Sequence, residues 1–380
     1  MDTPAQTYGT VVFILKYFPF PADTGGKLAS YGRIVGLARI TPVCIILLPM
    51  DDSEENVEKY DFSTPKKLGI EVLDLRGFTK QKVMEEIEAF LKLKKPKTLF
   101  LEAHLFVEFL NTSVRNDQTI KKVVVCYDIH RKLEAANMHR ESLLKRVVFW
   151  LFQWTFDLRE KRNLEVADVV VTVSLRDKEH FMSYGLKRVV YIPQLISIPT
   201  SYWHGEDSDY SIFVASSLWH YPNREGLAWF LKTVAPLIMQ KYPDFRLKIV
   251  GDIKKADQIS TTSNVTYLGY LSRDELSEQI SGAAFSIVPI LSGSGTKFKL
   301  LESLSMHVPV VATDHAREGL PDERAIPFVC SSDPMVFSEE VCKLMLDRVY
   351  RRDMSQKCGM YFEKHFDSPR TLQKWLEVMK

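Results

Sequence analysis

Residues 292–309, SGSGTKFKLLESLSMHVP, decide how the surrounding chain folds. The apolar run Ala283–Leu291 precedes them and predicts a strand, and Val310–Thr313 predicts the next strand. Between these strands two glycines predict a tight turn, and a helix is predicted over about Lys297–Met306. Strand, turn, helix and strand make one βαβ unit, which is typical of a parallel sheet.

The turn has the composition of an anion site. Gly293 and Gly295 flank Ser294 and let an anion approach the backbone, and Thr296 is placed to cap the helix. The free amides and the positive end of the helix dipole attract a phosphate. Glu302 lies roughly 8–9 Å further along the axis at ~1.5 Å per residue, about the distance from a diphosphate to its ribose. Its carboxylate can accept hydrogen bonds from two vicinal hydroxyls.

The same residues allow a simpler interpretation. The turn can be a purely structural connection, with Glu302 solvated and paired with Lys299 three residues earlier. The residue types alone leave the two interpretations even.

Length and composition predict a globular protein of two domains. The chain has 380 residues, which exceeds one ordinary domain. Its 46% hydrophobic and 26% charged residues exclude a disordered chain. A net charge of +2 gives no basis for nucleic-acid binding.

Cysteine usage and the first residues favour a cytoplasmic protein. The cysteines are scattered without metal-ligand spacing, so we expect buried reduced thiols at Cys44, Cys126, Cys330, Cys342 and Cys358. The first ten residues lack the basic region of a signal peptide. No apolar run is long enough to span a bilayer.

Strand-like runs alternate with helical patterns, which predicts two doubly wound α/β sheets. The runs of the first half are Val11–Leu15, Val43–Leu48, Ile70–Leu75, Thr98–Leu101, Val123–Tyr127, Val169–Val173 and Val189–Ile192. Those of the second half include Tyr210–Ala215, Arg246–Val250 and Val265–Leu268. The predicted helices include Leu28–Arg39, Gln81–Leu93, Arg224–Tyr242, Asp333–Lys357 and Pro369–Met379. We expect domains over residues 1–195 and 200–358, and the apolar face of the last predicted helix must pack on one of them.

Two further positions follow strands of the first half. Gly25 and Gly26 come after the first strand, where open α/β sheets bind ligands, although they also suit a loop with positive φ. Asp128 and His130 follow the strand Val123–Tyr127. A single histidine there is either a structural residue or a functional group.

The segment Leu143–Arg162 is aromatic and flanked by basic residues. Such a stripe is typical of a helix that faces the core. The alternative is an interfacial helix that contacts lipid or a lipid-linked acceptor, which predicts a peripheral membrane protein.

Ordered motifs give the chain a family resemblance. GSGTKFKLLESLSMHVPVVATDHAREGL resembles the donor-site signature of family 4 glycosyltransferases of the GT-B fold, and WHYPNREGLAWFLKTVAPLI fits the region before it. PFPADTGGKLASYGRI is similar to the amino-terminal glycine loop of that family, and CYDIH to its interdomain histidine motif. ADVVVTVS, from Ala167 to Ser174, also fits.

The resemblance implies two Rossmann-like domains that face each other across a cleft. It also implies that a carboxyl-terminal helix at about 360–380 joins the first domain. It implies retaining, metal-independent, hexosyltransferase-type transfer from a nucleotide diphosphate sugar to a glycan, lipid-linked or small-molecule acceptor, without a cofactor. His130, with Asp128, would orient sugar and acceptor, because the leaving phosphate can take the acceptor's proton. The implied donor-binding residues are Gly25, Gly26, Gly293, Ser294, Gly295, Thr296, Lys297, Lys299, Glu302 and Arg224.

The sequence departs from the family pattern in three places. The first of two glutamates is replaced by Ser294, and no arginine stands at Ser216 or Ser217. The phosphate-binding cation must then come from Arg224, Lys297 or Lys299. These departures keep two alternatives open: a GT-B nucleotide-sugar epimerase and a non-catalytic nucleotide-sugar binder.

The third departure is His307, which stands where the family has a glycine that ends the helix. Pro309 disfavours helical φ/ψ at Val308, so the helix must stop sharply. Such an end places one residue in the left-handed region, and Val308 is β-branched. We therefore predict a positive φ at His307, at a cost on the order of 1 kcal/mol.

Overall fold

The chain forms two compact units. The first comprises Met1–Leu195 with Ser368–Lys380, and the second comprises Ile196–Asp367. This computed structural model describes residues 8–22, 24–49, 60–138, 142–196, 199, 201–218, 220–252, 264–293 and 295–380. The division differs from the expected one at residues 360–367, which belong to the second unit.

The first unit is built on a parallel sheet of seven strands in the order β3-β2-β1-β4-β5-β6-β7. The strands β1 to β7 are Val11–Leu15, Val43–Leu47, Glu71–Asp74, Thr98–Leu101, Lys121–Cys126, Val169–Thr172 and Val189–Tyr191. Apolar clusters cover both faces of this sheet, which explains its continuous apolar strands. The predicted strands are confirmed, with ends that shift by one or two residues.

Helices alternate with these strands. Helices α1 to α8 are Gly25–Ala38, Ser63–Lys67, Lys80–Lys94, Thr112–Asn116, His130–Met138, Leu143–Phe152, Trp154–Leu164 and Leu175–Met182. The predicted stripe at Leu143–Arg162 is thus two helices that meet at Gln153.

The second unit contains a parallel sheet of six strands in the order β10-β9-β8-β11-β12-β13. The strands β8 to β13 are Tyr210–Ser217, Arg246–Asp252, Val265–Gly269, Phe285–Val288, Val310–Ala312 and Val329–Cys330. Sequence patterns did not predict β13, because a strand of two residues shows no periodicity. The core again lies on both faces of the sheet.

Two predicted helices of this unit are interrupted in the structure. Helices α9 to α14 are Tyr221–Trp229, Ala235–Lys241, Arg273–Ser281, Phe298–Ser305, Pro334–Leu346 and Arg348–Phe366. A π-helical turn at Phe230–Val234 interrupts the predicted helix Arg224–Tyr242, next to Pro236, which has no amide to donate. The predicted helix Asp333–Lys357 ends at Asp347, whose side chain caps α14 by accepting from the Tyr350 amide.

The last helix, α15 (Ser368–Met379), belongs to the first unit, as the family resemblance implied. Trp375 is fully buried, with its ring centroid 5.9 Å from that of Phe100. The guanidinium of Arg33 lies 4.4 Å from the centre of the Trp375 ring. Packing of the carboxyl-terminal helix on the first unit is therefore confirmed.

The cysteines match the expectation in most respects. Cys44, Cys126, Cys342 and Cys358 are buried, whereas Cys330 is partly exposed, and all five are free thiols. Among the described residues, no helix has the length and apolar character needed to cross a bilayer.

Candidate functional site

The glycine turn between β11 and α12 adopts a conformation that glycine favours. Gly293 has φ of 98° and Gly295 has φ of 71°, both in the left-handed region. A Cβ on Gly293 would lie 3.2 Å from Cγ of Pro222, so α9 packs closely on the turn. His315 contacts the carbonyl oxygen of Gly293 at 2.6 Å. The predicted site residue Ser294 lies outside the described residues.

Thr296 does not cap helix α12, contrary to the sequence-based expectation. The helix begins at Phe298, with Lys297 at the N-cap and no side-chain hydrogen bond to the cap. Within the described part of the chain, Thr296 Oγ1 is buried and has no hydrogen-bond partner. Lys297 Nζ donates to the carbonyl oxygen of Gly295 at 2.8 Å. The first turn of α12 therefore relies on neither side chain for its amide hydrogen bonds.

Lys299 is a partly buried cation in the first turn of α12. Its Nζ donates to Oδ1 of Asn223 at 2.5 Å, and Nζ lies 5.4 Å from the centre of the Phe213 ring. Burial and, to a smaller extent, the charge of Lys297 lower the pKa of Lys299, while Glu302 opposes the shift, and together they bring the pKa to about 7. An ammonium with so low a pKa gains stability from any anion placed beside it.

Glu302 is neither solvated nor paired with Lys299, so the simpler interpretation of this residue is wrong. It is buried on α12, and its Oε1 accepts a hydrogen bond from Nη1 of Arg273, the first residue of α11. A buried carboxylate needs such a partner because its desolvation is costly.

The third predicted cation, Arg224, forms a hydrogen bond with a backbone carbonyl group. Its Nη1 donates to the carbonyl oxygen of Leu218 at 2.8 Å. Ser216, where the family has an arginine, has φ of 58° and lies at a break in the β8–β9 register. Of the three candidate cations, Lys299 is the one that we favour as the phosphate-binding group, because burial lowers its pKa.

The predicted residues of the first unit lie at the carboxyl ends of β1 and β5. Gly25 and Gly26 form the first turn of α1 and are not in the positive-φ region, so the alternative of a positive-φ loop is wrong. A Cβ on Gly26 would meet no atom within 4 Å. Asp128 and His130 follow β5, and His130 opens α5. Whether these residues contact a ligand stays a prediction.

His130 lies in a buried polar cluster that sequence patterns did not reveal. Its amide donates to Oε1 of Glu160 at 3.0 Å, and its ring lies 5.3 Å from that of His104 and 5.2 Å from that of Phe156. Burial lowers the pKa of His104 to about 4, although Glu160 opposes this. Glu160 stands on α7, thirty residues from His130, and no spacing rule links the two.

The far side of Glu160 faces Tyr184. The Tyr184 hydroxyl lies 3.0 Å from Glu160 Oε2, 2.9 Å from His180 Nε2 and 3.3 Å from Asp157 Oδ1. Burial raises the pKa of Glu160, but hydrogen bonds from His180 and the His130 amide outweigh this and leave it below its usual range. Asp157, Glu160 and His180 offer ligand atoms within 4.8 Å of one another. The tyrosine hydroxyl already links these three groups, so the cluster is explained without a metal.

Helix α6 has no buried residue, which overturns the expectation of a core-facing helix for its part of Leu143–Arg162. Its exposed apolar side chains are Leu143, Leu144, Val147, Val148, Trp150, Leu151 and Phe152. Trp154 and Leu158 of α7 are exposed as well. The first turn of α6 carries no acidic residue and contains Lys145 and Arg146.

Comparison with known proteins agrees with this geometry. Residues 209–347 match the family model described as glycosyl transferases group 1, a stretch that contains β8, the glycine turn and α12. An uncharacterized 44.6 kDa protein in the cps region of Klebsiella pneumoniae is 22% identical over 382 residues, covering 94% of this chain and 96% of that protein.

Two solved structures share the fold at low identity. Sucrose-phosphate synthase from Thermosynechococcus elongatus has a TM-score of 0.69 and 14% identity, and the match covers 97% of this chain and 98% of that one. A mutant of S. aureus TarM, in complex with fondaparinux, α-GlcNAc-glycerol and UDP, has a TM-score of 0.70 and 10% identity, covering 98% and 100%. The predicted α/β fold with two Rossmann-like units, as in GT-B glycosyltransferases, is confirmed, and the family match supports a group 1 glycosyltransferase.

Proposed function

We propose that the protein is a glycosyltransferase that transfers a sugar from a nucleotide diphosphate sugar. The observation that carries the proposal is Lys299, a cation with a depressed pKa that is the second residue of α12 and lies four residues after Gly295. A diphosphate beside the glycine turn would neutralise this charge, which the described protein groups leave poorly compensated.

The same helix supplies the second contact of the proposed donor site. Glu302 lies three residues after Lys299, on the helical turn that follows, and is buried with a carboxylate that can accept ribose hydroxyls. A leaving diphosphate develops charge in the transition state, and amides and a cation fixed in advance stabilise it without reorganisation. Lys299 and the turn amides would provide this stabilisation, so the proposed reaction needs no metal.

The donor nucleotide is the finer part of this proposal. TarM, which shares the fold, was solved with UDP, and this makes UDP the first nucleotide to test. We propose retention at the anomeric carbon and a glycan, a lipid-linked sugar or a small molecule as acceptor. His130 and Asp128 would orient the sugar and the acceptor.

Product analysis tests the function. The protein is incubated with UDP-, GDP- and ADP-sugars and a panel of acceptors, and products are resolved by mass spectrometry and NMR. A new glycoside with retained anomeric configuration, formed equally in the presence of EDTA, supports the proposal. A free epimer without acceptor would favour the epimerase, and binding without turnover would favour a non-catalytic binder.

The exposed face of α6 supports a peripheral contact with an anionic lipid surface. It combines large apolar side chains with Lys145 and Arg146, the pattern of an interfacial helix. Flotation with vesicles containing phosphatidylglycerol tests it: Trp150→Glu should abolish binding, whereas Leu93→Glu, at a residue of similar exposure on α3, should not. Equal binding by both variants would contradict the contact.

A further inference from the structure

We infer that Arg273 positions the carboxylate of Glu302 for the ribose of the nucleotide, an inference that rests on the proposed donor site. Nη1 of Arg273 donates to Oε1 of Glu302 across 29 positions of sequence. The two residues stand on α11 and α12, which belong to different βα units of the second sheet. Neither the family motif nor local spacing links them.

The backbone fixes Arg273 at a defined place. It is the first residue of α11, and Ser272 forms a capping box with Glu275, in which each side chain accepts from the other residue's amide. A helix start held by two reciprocal hydrogen bonds gives the arginine a rigid base. The side chain that contacts Glu302 therefore starts from a fixed backbone position.

The arginine acts on one oxygen of the carboxylate and leaves the other available. Among the described residues, Glu302 Oε2 accepts no hydrogen bond, whereas Oε1 is bound by Arg273. Lys299 does not bind this carboxylate, because its Nζ donates to Asn223. With one oxygen held, rotation of the carboxyl group is restricted, and Oε2 is presented for a hydroxyl.

The two side chains of this pair differ in exposure to solvent. The Arg273 side chain is 47% exposed and that of Glu302 is 5% exposed. The exposed guanidinium lies beside the buried carboxylate, and its other N–H groups can donate to a ligand that binds there. Arg273 is thus a positioning residue for Glu302 at the proposed ribose site.

An ordinary surface ion pair in the same unit provides the control. Arg246 binds Asp209 at 2.7 Å, and both side chains are more than half exposed. Arg246 opens β9, so it lies at the amino edge of the sheet, whereas Arg273 follows the carboxyl end of β10. Pairs of this exposed kind contribute little.

The test measures whether the loss of affinity on replacing Arg273 depends on the ribose hydroxyls of the nucleotide. Calorimetric titration measures the affinity of UDP, GDP and ADP, and of the 2′-deoxy form of whichever binds, for the wild type, Arg273→Gln, Arg273→Lys and Arg246→Gln. We expect Arg273→Gln to weaken the ribonucleotide roughly tenfold, the cost of about one charge-assisted hydrogen bond, and the 2′-deoxy form much less. Arg273→Lys should recover part of the affinity, and Arg246→Gln should lose none.

The possible results separate this inference from the proposed function. Equal weakening of both nucleotide forms by Arg273→Gln, or no weakening, would overturn the positioning role and leave the donor site intact. Thermal unfolding shows whether each variant is folded. If Arg273→Gln is unfolded, the affinities of Arg273→Lys for the ribonucleotide and its 2′-deoxy form decide the outcome, because this variant keeps the charge. Failure of the wild type to bind any of the nucleotides would overturn the donor site itself and the inference with it.

Discussion

At the residue scale, Lys299 makes the affinity for a diphosphate depend on pH. Burial lowers its pKa to about 7, so the free protein loses this proton as the pH rises above that value. A bound diphosphate favours the ammonium and raises its pKa. Above about pH 7, binding must therefore take up a proton, and the affinity should fall by up to roughly tenfold per pH unit.

Calorimetry in buffers of different ionisation enthalpy measures this proton uptake at pH 8. Lys299→Met should weaken binding and remove the uptake that the wild type shows, whereas Lys297→Met should keep it. Because the nucleotide's own phosphate titrates in both proteins, the difference between wild type and variant isolates the lysine. Identical proton uptake in the wild type and in Lys299→Met would contradict the assignment.

His307 has φ of 61°, which confirms the conformation that Pro309 and Val308 predicted. The structure adds a contact that the sequence did not indicate: the imidazole lies 4.9 Å from the ring of Tyr202, and it lies against Gly359. His307→Gly relieves strain but loses these contacts. We expect a net change in the free energy of unfolding within about 1 kcal/mol and unchanged nucleotide affinity. Urea denaturation measures it, and a loss of activity would show that His307 has another role.

Single residues were predicted unevenly from sequence. Glu302 follows from its spacing along one helix, and Lys299 was one of three candidate cations. Their partners Arg273 and Asn223 come from other helices. Asn223 stood within a motif of the resemblance without a stated role. Contacts between distant βα units have no local periodicity, so sequence patterns cannot pair them.

At the element scale, Gly226 sets how closely α9 lies against the glycine turn. A Cβ at this position would overlap the carbonyl oxygen of Pro289, which leads into the turn. Because backbone cannot give way as a flexible side chain does, Gly226→Ala should destabilise the second unit by about 3 kcal/mol or more.

The matched control for this prediction is Gly26→Ala. The control glycine also lies in a helix, but its added methyl meets no atom within 4 Å. Thermal unfolding should therefore show a large loss for Gly226→Ala and a small gain for Gly26→Ala. Equal stability of the two variants would show that the packing of α9 is not as tight as described.

Elements were predicted better than their ends. Apolar strands and amphipathic helices have strong periodicity, and twelve of the thirteen strands lie where the sequence predicted them. The N-cap of α12 was misplaced by one residue: threonine is a common cap, but the helix begins at Phe298 and Lys297 occupies the N-cap position. A two-residue strand and a π-helical turn leave no pattern to detect.

At the scale of the whole molecule, α15 ties the end of the chain to the first unit. Trp375 is fully buried between Phe100 and Arg33. Trp375→Ala should cost about 3–5 kcal/mol through the cavity that it leaves. Hydrogen exchange should show lost protection in β1 and β4 and unchanged protection in β8 and β9. Loss confined to the second unit would contradict this assignment.

The central claim is that the glycine turn and α12 bind a nucleotide diphosphate, with Glu302 on the ribose. Calorimetric titration of UDP, GDP and ADP into the wild type and Glu302→Ala tests it most directly. The account predicts that at least one nucleotide binds the wild type, and that the variant binds it roughly tenfold or more weakly while its fold is retained. Unchanged affinity of a folded Glu302→Ala variant for every nucleotide would contradict the claim.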